Sequence, residues 1–158
     1  MFGLFKAKTV KIVAPMDGHL IDIEDVSDKV FSQKLVGEGM AIEPLSGTVV
    51  APISGTISRI FPTHHAFSIT SAQGLEVMVH IGLDTVELKG KGFKCLKSEG
   101  DEVVVGTPII YVDKEYLKSQ GKETTTPIVI SSEKKFTLEK HAVGIVREGE
   151  MIIEVKFS

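Results

Sequence analysis

Pro62-Thr63-His64-His65-Ala66-Phe67-Ser68-Ile69-Thr70-Ser71-Ala72-Gln73-Gly74-Leu75-Glu76-Val77-Met78-Val79-His80-Ile81-Gly82 reads as one β-hairpin. Both arms are rich in β-branched and aromatic residues, and Ser71-Ala72-Gln73-Gly74 supplies the turn. A two-residue loop Ala72-Gln73 pairs Ser71 with Gly74 and brings His65 directly opposite His80. Their Cβ atoms would then lie about 5 Å apart. A loop of Gln73-Gly74 sets the two histidines diagonal but still on one face. Only a one-residue slip separates them. Under the first pairing the histidine face holds His65, Phe67 and Ile69 with Glu76, Met78 and His80. The other face holds Ala66, Ser68 and Thr70 against Leu75, Val77 and Val79.

Strands of the same kind recur along the chain. Val10-Lys11-Ile12-Val13, Thr48-Val49-Val50, Glu102-Val103-Val104-Val105, Ile128-Val129-Ile130 and Met151-Ile152-Ile153-Glu154-Val155 are short, β-rich and bounded by Gly, Pro, Asp or Ser. Helix signals are scarce. Asp113 is an N-cap for a turn or two ending before Gly121, and a second short turn fits Ser27 to Phe31. The chain also echoes itself. Ala14-Pro15-Met16-Asp17-Gly18 matches Ala51-Pro52-Ile53-Ser54-Gly55, each leading into an alternating strand. The stretches around Gly106-Thr107 and Gly149-Glu150 share a second pattern. The expected fold is all-β: an antiparallel sandwich or partly closed barrel with internal pseudo-symmetry and one or two very short helices.

At 158 residues the chain is expected to form a single domain over 9–158, preceded by a flexible segment at 1–8. Its 18 basic and 21 acidic residues leave a net charge of −3, and no basic run marks a nucleic-acid binder. Cys95 has no intramolecular partner, which suits a reducing cytoplasm. No apolar run is long enough to span a membrane. Met1-Phe2-Gly3-Leu4-Phe5-Lys6 is apolar but too short for a signal peptide; it is read as a frayed or packed end, with a weak membrane or partner contact as the sharper reading.

Two imidazoles on one face can share a metal, pass a proton or carry a phosphoryl group. They can equally be a half-buried structural pair, or the polar centre of an apolar docking face formed by Phe67, Ile69 and Met78. A neutral imidazole is a good nucleophile near pH 7. Phosphoryl chemistry would need in-line access and donors for the phosphoryl oxygens. A second histidine, the hydroxyl of Thr63 and the backbone at Gly82 are the candidates. Asp84 is close enough to His80 in sequence to orient its ring, or else is a solvated turn residue.

Pro62-Thr63-His64-His65-Ala66-Phe67-Ser68-Ile69 and Val79-His80-Ile81-Gly82-Leu83-Asp84-Thr85-Val86-Glu87-Leu88-Lys89-Gly90 resemble the two signatures of the glucose-type enzyme IIA of the bacterial sugar phosphotransferase system. The resemblance extends to Ala14-Pro15, Asp25-Val26, Asp28 to Phe31, Val36-Gly37-Glu38-Gly39 and Thr126 to Ile130. It implies a barrel-sandwich hybrid fold and a phosphoryl group carried on Nε2 of His80, with His65 assisting. The donor would be the histidine-containing phosphocarrier protein, and the acceptor a cysteine of an enzyme IIB domain. The docking depression would comprise Val30, Phe31, Phe61, Phe67, Met78 and Val86, with Asp28, Asp84 and Glu87 as nearby carboxylates. No cofactor is required, although His65 and His80 bind zinc in some members when a partner adds a ligand. His64 stands where a small polar residue is common, and alternation turns it away from His65. His19 and His141 read as surface residues.

A zinc hydrolase of related β fold is the alternative, but no third ligand is evident in the signatures. A lipoyl or biotinyl carrier would need a lysine beside methionine at a hairpin tip, and none is present. The sugar served is not written in the chain.

Overall fold

The computed structural model describes residues 8–158, so the expectation placed on the N-terminal segment lies, for 1–7, outside the described residues. Fourteen strands and two short helices follow in order. The strands are β1 (Thr9–Val13), β2 (Gly18–Asp22), β3 (Glu38–Pro44), β4 (Thr48–Val50), β5 (Gly55–Ile60), β6 (Ala66–Thr70), β7 (Glu76–His80), β8 (Phe93–Cys95), β9 (Glu102–Val103), β10 (Pro108–Val112), β11 (Thr126–Ser131), β12 (Phe136–Lys140), β13 (Gly144–Val146) and β14 (Met151–Phe157). The helices are α1 (Lys29–Ser32) and α2 (Lys114–Ser119), capped by the side chains of Asp28 and Asp113. Every strand pairing is antiparallel. Of the run 102–105, only Glu102 and Val103 enter a ladder, because Val104 begins the Gly106 turn.

The pseudo-symmetry is written in backbone hydrogen bonds. The large sheet runs β13-β2-β3-β11-β7-β6-β5-β9, and two three-stranded sheets, β1-β14-β12 and β4-β10-β8, complete the sandwich. The Ala-Pro echoes lie against each other: Val13 N donates to Pro52 O at 3.0 Å, and Val50 N to Pro15 O at 2.8 Å. Ala14 N then bonds Glu150 O while Gly149 N bonds Ala14 O. In the other half Ala51 N bonds Thr107 O while Gly106 N bonds Ala51 O. Each repeat is therefore completed by the other, which is why neither stands alone in the sequence.

The main core fills the space between the sheets and includes Ile12, Leu20, Ile42, Val49, Ile57, Phe67, Val79, Ile110, Ile128 and Ile153. A second, smaller core lies under α1 and joins Ile23, Val26, Phe31, Ala41, Leu83 and Val129, with Met78 packed at its edge. This smaller core attaches the walls of the histidine site to the sheet.

The β6–β7 hairpin departs from the expected register. Its loop has three residues, Ala72-Gln73-Gly74, closed by Ser71 N to Leu75 O at 2.8 Å. Gly74 has φ +87, and a left-handed third residue is what such a loop requires. Ala66 therefore opposes His80 and Phe67 opposes Val79. That is the one-residue slip relative to either two-residue loop. Phe67 and Ile69 face the main core, while Ala66, Ser68 and Thr70 share a face with His80, Met78 and Glu76. Phe67, expected on the docking rim, is fully buried instead.

Candidate functional site

His80 ends β7, and the chain turns immediately afterwards. Gly82 has φ +77, and its carbonyl accepts a hydrogen bond from His80 Nδ1 at 2.7 Å. A carbonyl can only accept, so Nδ1 carries the proton and Nε2 keeps its lone pair. The turn excludes a side chain at Gly82: a Cβ there would meet Thr85 Cγ2 at 2.6 Å and the Glu123 carbonyl at 3.0 Å. The loop beyond is pinned by Thr85, whose buried hydroxyl donates to Ile81 O at 2.7 Å. On the other side Phe31 of α1 lies against the His80 ring, centroids 5.0 Å apart. Ring and carbonyl together fix the imidazole.

His65 reaches the same place by another route. It precedes β6, after a tight turn in which His64 N donates to Phe61 O at 2.7 Å and His64 adopts φ +58. This left-handed residue breaks the strand alternation. His65 keeps a ladder bond, its carbonyl accepting from Ile81 N at 2.7 Å, while its ring meets that of His80 edge-on with centroids 4.9 Å apart. The pair thus meets because of the His64 bend and not through cross-strand facing. Thr63 Oγ1 lies 2.6 Å from His65 Nδ1. Phe61 packs edge-on against His65 at 5.3 Å, and the Arg59 guanidinium sits 4.0 Å above the Phe61 ring.

Both imidazoles are biased toward the neutral form. Burial, aided by the proximity of His80, lowers the His65 pKa to about 4. Burial also lowers that of His80, opposed by the Gly82 carbonyl and by the charges of Asp28 and Asp84. Asp84 makes no hydrogen bond to His80: the orienting role expected of its carboxylate falls to the Gly82 carbonyl, and Asp84 acts on His80 only through its charge.

Around the pair, Val30 and Val86 are exposed, Phe61 and Met78 half-buried, and Phe31 buried beneath the ring it supports. Asp28, Asp84 and Glu87 lie on the same two walls. Asp28 spends one oxygen on the α1 cap, accepting from Val30 N at 2.9 Å. His19 and His141 are exposed and outside the site. Two site residues escaped sequence reading: Ser27 and Glu123 are hydrogen-bonded across 96 positions, a contact no local pattern could signal. Among the described residues no group of three or more His, Cys, Asp or Glu side chains converges to hold a metal. The two histidines alone fall short of the three protein ligands a catalytic zinc takes. A cavity of about 700 Å³ is lined by Gly55, Thr70, Ala72 and Val104 among others, at the hairpin tip and thus at the far end of β7 from His80.

Residues 10–136 match the family model described as phosphoenolpyruvate-dependent sugar phosphotransferase system, EIIA 1. The glucose-specific EIIA component of Buchnera aphidicola subsp. Baizongia pistaciae is 48% identical, with 96% of this chain and 90% of the relative covered. That of Staphylococcus epidermidis strain RP62A is 43% identical over the whole of this chain and 98% of its own. The glucose-specific EIICBA component of Staphylococcus carnosus is 44% identical, but the match spans only 22% of its length. The glucose permease IIA from Mycoplasma capricolum has a similar structure, with a TM-score of 0.87, 38% identity and 94% and 96% of the two chains covered. Sequence, fold and a family match over most of the chain agree: this protein belongs to the EIIA family of the phosphoenolpyruvate-dependent sugar phosphotransferase system, a phosphotransferase component that serves as a phosphoryl carrier in sugar uptake.

Proposed function

We propose that His80 is the carrier residue, that His65 assists it, and that the chain works in the cytoplasm between two protein partners. The observation that supports this most is the His80 Nδ1–Gly82 carbonyl bond, which leaves Nε2 unprotonated at the edge of a partly apolar face. Nε2 attacks the phosphorus of a phosphohistidine on the histidine-containing phosphocarrier protein. The new P–N bond forms as the donor's P–N bond breaks, and the donor imidazole keeps the electron pair. The His80 ring then bears positive charge, which the Gly82 carbonyl and the carboxylates of Asp28 and Asp84 favour. That charge also makes it a good leaving group. A thiolate of an enzyme IIB domain attacks phosphorus next, and the pair returns to Nε2.

His65 fits the part of a donor. If Thr63 gives its hydroxyl hydrogen to Nδ1, the His65 proton sits on Nε2, ready for a phosphoryl oxygen. Val30 and Val86 supply exposed apolar contact, with Phe61 and Met78 beside them, and Asp28, Asp84 and Glu87 suit a basic rim on the partner. An enzyme IIB acceptor accords with relatives named EIICBA. The carrier reading requires no cofactor, and zinc would bind at His65 and His80 only where a partner adds ligands. A half-buried, unpaired Cys95 suits a reducing compartment.

The test is transfer from labelled phosphoenolpyruvate through the general coupling proteins. His80→Gln should abolish labelling. His65→Gln should still label but pass the group onward about 100-fold more slowly. Label retained in His80→Gln would refute the assignment.

A further inference from the structure

The connection between α2 and β11 touches both walls of the histidine site. Lys122 Nζ pairs with Glu87 on the wall that follows His80. The Glu123 carbonyl accepts from Leu83 N at 3.0 Å, directly beside Gly82. The Glu123 carboxylate reaches the opposite wall, accepting from Ser27 Oγ at 2.7 Å, one residue before the α1 cap. A single residue thus joins the loop whose carbonyl holds His80 Nδ1 to the segment whose Phe31 packs on the His80 ring.

Neither wall contains a long regular element of its own. α1 has four residues, too few to be stable alone. The His80 loop turns through left-handed residues at Gly82 and Asp84. The apolar contact of Leu83 with the α1 cluster holds the walls together without fixing their direction. The Ser27–Glu123 hydrogen bond, on the solvent-facing side of this contact, adds a directional tie between them.

We propose that Glu123 is a positioning residue for phosphoryl transfer, setting the separation of the two walls so that the imidazole of His80 stays between Gly82 and Phe31. The role rests on the carrier reading of His80; the geometry of the tie does not. Lys122, bonded to Glu87, steadies the same connection from its other side.

The experiment compares Glu123→Ala, Ser27→Ala, their double variant and Glu123→Gln in the full chain. Two readouts are taken: the imidazole ¹⁵N spectrum of His80 across pH, and the kcat and KM of phosphoryl transfer. Each alanine variant should move the His80 titration toward that of free imidazole. Each should lower kcat about fivefold with KM little changed. The double variant should be no worse than either single one, because both remove one tie. Glu123→Gln keeps an acceptor oxygen and should restore both readouts. Additive losses, or a fall in thermal stability with the His80 spectrum unmoved, would overturn the proposal. A wild-type chain that takes no label at His80 would refute the carrier reading and the role in transfer, even where the spectra confirm the tie.

Discussion

Two protonated imidazoles with centroids 4.9 Å apart would repel, and burial adds to that cost. His65 bears most of it, with its pKa lowered to about 4 and its side chain almost fully buried. In the unfolded chain a histidine titrates near 6.5. Between pH 6.5 and 4 the unfolded state therefore binds a proton that the folded state refuses, so stability falls as pH falls through this window. The loss from His65 is on the order of 3 kcal/mol across the window. Urea unfolding across this range should show the decline, and His65→Gln should flatten it. Glu38 acts in a lower window. Its carboxyl is held at about 2 by hydrogen bonds from Lys140, Lys34 and the Gly39 amide, which outweigh its burial, so its contribution is lost below the ordinary carboxylate range.

At the scale of elements, the loop of the β6–β7 hairpin decides which side chains face the core and which face the histidine site. Three residues with a left-handed Gly74 put Phe67 into the core. Phe67→Ala should then destabilise the fold by about 3–5 kcal/mol in chemical denaturation. Val86→Ala, at an exposed position, should change stability by less than about 0.5 kcal/mol while raising the KM for partner proteins. A marginal stability change for Phe67→Ala would restore it to the surface. The sequence marked this hairpin, its turn residues and both histidines, yet left its register open. Gly74 is equally at home in a two-residue or a three-residue loop, and the choice shifts every side chain to the other face. The convergence of His65 with His80 was legible as a result but not as a cause, since it comes from the left-handed bend at His64.

Over the whole molecule, each half completes the other through the paired Ala-Pro segments. The repeats were visible in sequence because the turn residues recur, while their mutual hydrogen bonds needed the folded chain. Only one half carries the His65–His80 pair, so the candidate site breaks the symmetry that the fold keeps. Electrostatics act at this scale too. Carboxylates on both walls of the site and a net charge of −3 should steer a basic partner, so the transfer rate at low enzyme concentration should fall as salt rises from 50 to about 300 mM. Replacing Asp84 and Glu87 by Asn and Gln should weaken that salt dependence; an unchanged slope would place the docking charges elsewhere.

We propose that Nε2 of His80 carries the phosphoryl group because the Gly82 carbonyl holds the ring's other nitrogen. Phosphorus–nitrogen couplings measured by NMR on the ¹⁵N-histidine-labelled, phosphorylated chain test it directly. The predicted result is phosphorus coupled to Nε2 of His80 with Nδ1 still protonated. Coupling to Nδ1 of His80, or to either nitrogen of His65, would contradict it.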